Sequence, residues 1–67
     1  MLVYKIDVIE TLKENGYNST RILKENIISQ SAMQKLRNNE MIGIKTLEQL
    51  CKVLDMQPGN IIKYLED

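Results

Sequence analysis

Helix-start signals recur along this chain so closely that only short helices fit between one and the next. In Asp7-Val8-Ile9-Glu10, the aspartate is placed to cap a helix, and the glutamate three residues on reaches back to it. Val8, Ile9 and Leu12 follow as an apolar stripe at three-to-four spacing. Asn15-Gly16 ends that helix, with Gly16 free to take the left-handed conformation. The preceding Leu2-Val3-Tyr4-Lys5-Ile6 suits either a backward extension of the helix or an extended arm. Asn18 caps a second helix of about seven or eight residues, with Ile22 and Leu23 facing inward. Asn26-Ile27-Ile28 reads as a tight turn. Ser29 then caps a third helix, with Ile28 placed to staple onto Met33 and with Met33 and Leu36 as the inward pair.

Asn38-Asn39 closes the third helix, asparagine being second only to glycine in tolerating the left-handed state. Gly43 caps a fourth, whose stripe runs Ile44, Leu47, Leu50, Cys51 and Leu54. Gln57-Pro58-Gly59-Asn60 starts a fifth, with Pro58 preset for the first helical position and Ile61, Ile62 and Leu65 on the inner face. Five short helices predict an all-α fold, a compact orthogonal bundle forming one domain over residues 1–67.

Composition removes most alternatives. A 67-residue chain buries only about 60% of the surface its unfolded form exposes, so it needs dense packing or a staple. One cysteine, Cys51, closes no internal bridge, and with no histidine the ordinary zinc frameworks are excluded. Isoleucine and leucine supply 17 of the 29 apolar residues, which suits helix-on-helix packing. No apolar run approaches the roughly 18 residues of a membrane span, and no signal-peptide pattern opens the chain. A soluble, cytoplasmic protein without membrane contact is the expectation. Cys51 sits in an apolar stripe as a small hydrophobe. Glu10 and Glu14, one turn apart, have no nucleophile or metal ligand to join them and read as a solvated helix face. No catalytic residue, metal site or cofactor is expected, and no enzyme activity.

Net charge is zero, but its distribution is uneven. Residues 1–19 sum to −1, residues 20–47 to +3 and residues 48–67 to −2. The basic third coincides with residues 18–38, a short helix, a tight turn and a second helix whose solvent side is amide, hydroxyl and cation. This is the helix-turn-helix pattern, in which the second helix enters the major groove of double-stranded DNA. Groove reading needs side chains that donate and accept together. Gln30 and Gln34 suit the donor-acceptor pair of adenine, Lys35 the two acceptors of guanine, and Ser31 either. The amino end of the first helix, at Asn18-Ser19-Thr20, offers amides to a phosphate. Arg21, Lys24, Arg37 and Lys45 add the salt-sensitive Coulomb attraction.

These features together resemble a Cro/cI-type (lambda-repressor-like) helix-turn-helix regulator in a small single-domain bacterial version. The matching residues are Gly16-Tyr17-Asn18-Ser19-Thr20-Arg21, Lys24-Glu25-Asn26-Ile27-Ile28-Ser29 and Met33-Gln34-Lys35-Leu36-Arg37-Asn38, then Thr46-Leu47, Leu50-Cys51-Lys52 and Gln57-Pro58-Gly59-Asn60-Ile61-Ile62. The similarity covers nearly all of the chain after Tyr4. It implies base-reading sites at Gln30, Ser31, Gln34 and Lys35, phosphate sites at Ser19, Arg37 and Asn38, and paired half-sites bound by a homodimer. Transcription regulation is what the same resemblance implies, as a repressor or an activator, with no small-molecule effector expected at this size. The candidate dimer surfaces are the Leu2–Ile6 arm and the fifth helix with Ile62, Tyr64 and Leu65.

The chain departs from the family at two positions. Leu23 and Ile27 stand where many members have a small residue and a glycine. A β-branched residue at positive φ is an outlier, so Asn26 is expected in the left-handed role, while Leu23 should widen the spacing of the two helices. The competing reading is a protein-interaction module, antirepressor or antitoxin-like, that keeps the shape without reading bases; zero net charge and the lack of a polybasic arm favour it slightly.

Overall fold

Local capping chemistry sets the helix boundaries in the computed structural model, which describes residues 1–66. The order is β1 (Leu2–Tyr4), α1 (Val8–Glu14), α2 (Ser19–Lys24), α3 (Gln30–Arg37), α4 (Ile44–Leu54), α5 (Pro58–Ile61) and β2 (Ile62–Tyr64). Asp7 Oδ1 accepts the Glu10 amide at 3.1 Å, Asn18 Oδ1 the Arg21 amide at 2.8 Å, and Ser29 Oγ the Ala32 amide at 3.1 Å. Gly43 and Gln57 precede α4 and α5 without a side-chain cap bond, and Pro58 opens α5 as expected.

Four helices end alike. Gly16, Asn26, Asn39 and Asp55 take φ values of 87°, 53°, 57° and 54°. The next residue then donates back into the helix: Tyr17 to the Leu12 carbonyl, Ile27 to Ile22, Glu40 to Lys35 and Met56 to Cys51, at 2.8 to 3.0 Å. This closure satisfies carbonyls that the helix itself leaves open, and it favours residues that tolerate the left-handed state. Asn26 therefore holds the helix-turn-helix corner and Ile27 stays in ordinary backbone, as its branching requires.

The chain is not purely helical. β1 and β2 pair antiparallel, with Leu2 opposite Tyr64, Val3 opposite Lys63 and Tyr4 opposite Ile62. The ladder continues through the Lys5 amide to the Ile61 carbonyl at 2.8 Å and the Leu65 amide to the Met1 carbonyl at 2.7 Å. Residues 2–4 thus form an extended arm, residues 5 and 6 bend toward α1, and α5 stops at Ile61. Ile62 and Leu65 are not on a helical inner face; Ile62 belongs to a strand and Leu65 is exposed. The reason is backbone pairing: each short segment is rich in branched and aromatic residues and finds its hydrogen-bond partners only in the other. The Tyr4 hydroxyl ties this clasp to the connection after α3, donating to the Glu40 carbonyl at 2.6 Å and accepting the Ile42 amide at 3.2 Å.

Helices of four to eleven residues are marginal alone, so their packing sustains them. Each contributes one fully buried side chain: Leu12, Ile22, Met33, Leu50 and Ile61 in chain order. Burying such a side chain is worth about 1.5–3 kcal/mol. Val8, Ile27, Ile28, Ala32, Leu36, Ile42 and Leu54 complete the core, and Cys51 is half-buried against it. Two sequence expectations fail here. Leu23 is 41% exposed, because six residues of α2 present one narrow inner face and Ile22 occupies it. Ile44 is 75% exposed at the first position of α4, where the helix has not yet reached the core, and Ile42 in the preceding loop is buried in its stead. No helix among the described residues is long and apolar enough to cross a membrane.

Candidate nucleic-acid interface

Residues along an α-helix turn by about 100° each, which decides what α3 can present. Ala32, Met33 and Leu36 are buried within an arc of about 100°. Gln30, Ser31, Gln34, Lys35, Arg37 and the C-capping Asn38 are all exposed, on an opposite arc of about 160°. The four expected base-reading residues therefore share one solvent face, backed by the core through Met33 and Leu36. Ser29, which caps the helix, lies 3.3 Å from Ser31 by their hydroxyl oxygens.

The corner ahead of α3 is rigid for local reasons. Asn26 turns the chain, and Ile27 and Ile28 then enter the core as a pair. Ile28 and Met33 are both buried at the positions a hydrophobic staple requires, which fixes the angle at which the chain enters α3.

The cations divide into two kinds. Lys24, Lys35, Arg37 and Lys45 are exposed and form no ion pair with any described residue. Arg21 is engaged. Its Nε donates to Glu25 at 2.7 Å, its Nη1 to the Gly16 carbonyl at 3.1 Å, and its guanidinium lies 4.4 Å from the centre of the Tyr17 ring. The Glu25 carboxylate, by hydrogen bond and by charge, raises the Arg21 pKa above its ordinary value. Arg21 thus latches the α1–α2 turn to α2, and its charge is already matched. Ser19 is half-buried and Thr20 exposed at the start of α2. Asn38 stands at the other end of the face, its Nδ2 3.4 Å from a Glu40 carboxylate oxygen.

One contributor escaped the sequence reading beyond Lys45. Ser31 and Lys35 border a shallow concavity whose other wall is Ile42, Gly43 and Thr46 at the start of α4. Gly43 has no side chain to cap that helix, so its first amides keep their capacity to donate. An uncapped amino end beside a cationic face is a place for an anion. The signal was visible in the sequence as a glycine where serine, aspartate or asparagine is the usual cap.

The family model described as the Cro/C1-type HTH DNA-binding domain matches residues 7–67 of the chain. Among curated proteins and solved structures, none matches it.

Proposed function

We propose that this chain, which belongs to the Cro/C1-type helix-turn-helix family of DNA-binding domains, binds specific sequences of double-stranded DNA as a homodimer and so regulates transcription. The observation that carries this reading is the single solvent face of α3, where Gln30, Ser31, Gln34 and Lys35 stand together opposite a buried stripe. A major groove roughly 12 Å wide admits one such helix. In this reading Lys35 addresses guanine, Gln30 and Gln34 address adenine, and Ser31 takes either.

Phosphates are held around that face. Arg37 and Asn38 serve at the end of α3, Lys24 and the Ser19-Thr20 end of α2 on one side, and Lys45 with the open amides of α4 on the other. Arg21 contributes least, since meeting a phosphate would require it to leave Glu25. Half-sites one helical turn apart, about 34 Å, suit two copies on one face of the duplex.

Zero net charge favours the rival reading of a protein-binding module, and salt dependence separates the two. Binding through about four to six phosphates per protomer gives a steep log–log fall in affinity with salt, whereas an apolar protein interface barely responds. The direct test is selection from randomised duplexes by the purified protein. An enriched palindrome is expected. On that site Lys35→Ala should cost about 1–3 kcal/mol and relax one base pair, while Arg37→Ala weakens all duplexes alike. Equal losses for Lys35→Ala on cognate and random duplexes would overturn the base-reading role.

A further inference from the structure

The outer side of α4 carries a groove that the DNA reading does not use. Ile44, Glu48 and Lys52 follow one another at four-residue steps along the exposed edge of the helix, and Met56 lies four residues further on. Leu47 and Cys51 form the floor, and Pro58 closes the far end. Ile44 is the most exposed large apolar side chain among the described residues. Glu48 and Lys52 have the spacing and order that favour a pair within one helix. They nonetheless form no ion pair, and the one described is Arg21 with Glu25.

This edge is a charge palindrome. Within α4, Glu48 and Lys52 stand equally far on either side of Leu50; in sequence so do Ile44, which opens the helix, and Met56, which follows its end and is half-buried. We propose that the groove is occupied by a second copy of this chain, with the two α4 helices antiparallel about a two-fold axis beside Leu50. Glu48 then meets Lys52 of the partner subunit, and Lys52 meets Glu48 of the partner subunit. Ile44 enters the Met56–Pro58 end of the partner's groove. A two-fold contact of this kind requires a surface that complements itself, and this edge does so in both charge and apolar character. A parallel arrangement would set glutamate against glutamate. Any other partner would need to supply the reverse pattern independently.

The proposal rests on the homodimeric part of the reading above and assigns its surface. That surface is not the arm or the chain segment around Tyr64. An 11-residue helix is about 16 Å long, and one such pair covers less than the roughly 1,200 Å² of a stable standard interface. The dimer is accordingly weak in free solution, and dilution separates it.

Sedimentation of the full chain without DNA, from micromolar to sub-millimolar concentration, tests this. The wild type should dimerise at the upper end. Ile44→Asp should weaken association about tenfold or more, with the helical circular dichroism unchanged because the side chain is exposed and an acid suits a helix start. Glu48→Lys and Lys52→Glu should each weaken association, and an equimolar mixture of the two should restore it. Tyr64→Glu should leave it unaltered. Association that survives Ile44→Asp, no recovery on mixing, loss on Tyr64→Glu, or a wild type monomeric throughout would each overturn the α4 interface. Duplex binding is measured separately. If it is absent while the α4-dependent dimer persists, the DNA reading fails and this surface stands. If it is present with a monomeric wild type, the surface fails alone.

Discussion

Replacing Tyr4 by phenylalanine isolates one oxygen atom that joins the β1–β2 clasp to the connection between α3 and α4. The hydroxyl donates to Glu40 and accepts from Ile42, across 36 and 38 residues of sequence, and the ring stays in place in the variant. A typical intramolecular hydrogen bond contributes about 0.5–1.5 kcal/mol net, so losing two costs about 1–3 kcal/mol. The upper part of that range is expected, because the Ile42 amide is partly shielded from water. A domain of this length has a total stability of about 3–10 kcal/mol, so the change is a large share of it. Urea unfolding followed by circular dichroism should show the midpoint falling by about 1–3 M if the slope is about 1 kcal/mol per molar. A midpoint within about 0.3 M of the wild type would mean the hydroxyl is not holding the loop.

The same residue gives a pH signature. Burial raises the Tyr4 pKa, against a smaller lowering by the Ile42 amide, so the folded state favours the neutral phenol. Stability from this source is intact below the unfolded value of about 10 and is lost as pH rises through the higher folded value. The wild type should therefore lose stability above about pH 10 more steeply than Tyr4→Phe does. Parallel slopes in that window would remove the argument.

Substitutions at Asn26 and Arg21, each with a comparison variant, probe the helix-turn-helix and its neighbourhood. Asn26→Ala places a Cβ without a compensating amide at positive φ and should cost about 1–2 kcal/mol in thermal unfolding, while Asn26→Gly should be near neutral; an alanine variant as stable as the glycine one would show that the corner is not set by backbone conformation. Arg21→Ala should leave the salt dependence of duplex binding unchanged, whereas Arg37→Ala reduces the log–log slope by about one; equal reductions would show that Arg21 leaves Glu25 to meet a phosphate.

What the sequence discloses follows from how local each interaction is. Asp7, Asn18 and Ser29 cap as read, because a cap and its amide lie three residues apart. Gly16, Asn26 and Asn39 turn left-handed for the same local reason. The exposed face of α3 was legible because its polar residues and its buried stripe share one helical period. The clasp was not, since Leu2 and Tyr64 are neighbours only after everything between them has folded. Ile44 and Ile42 are chemically alike and two residues apart, so choosing the buried one requires knowing where α4 meets the core. Arg21 looked like Lys24 as a cation, and only the positions of Tyr17, Gly16 and Glu25 reveal that it is already engaged within the fold.

The pairing of residues 2–4 with residues 62–64 has a kinetic consequence. It is a long-range closure in a chain whose helices are otherwise built from near neighbours. Joining points about 60 residues apart costs roughly 1.2 kcal/mol more entropy than closing a 15-residue loop, since each doubling adds about 0.6. The ladder is therefore the last part to zip when the chain collapses and the first to unzip when it breathes. Amide exchange at Lys5 and Leu65, whose protons it holds, should outpace exchange at Ile27, which stays shut until the whole domain opens.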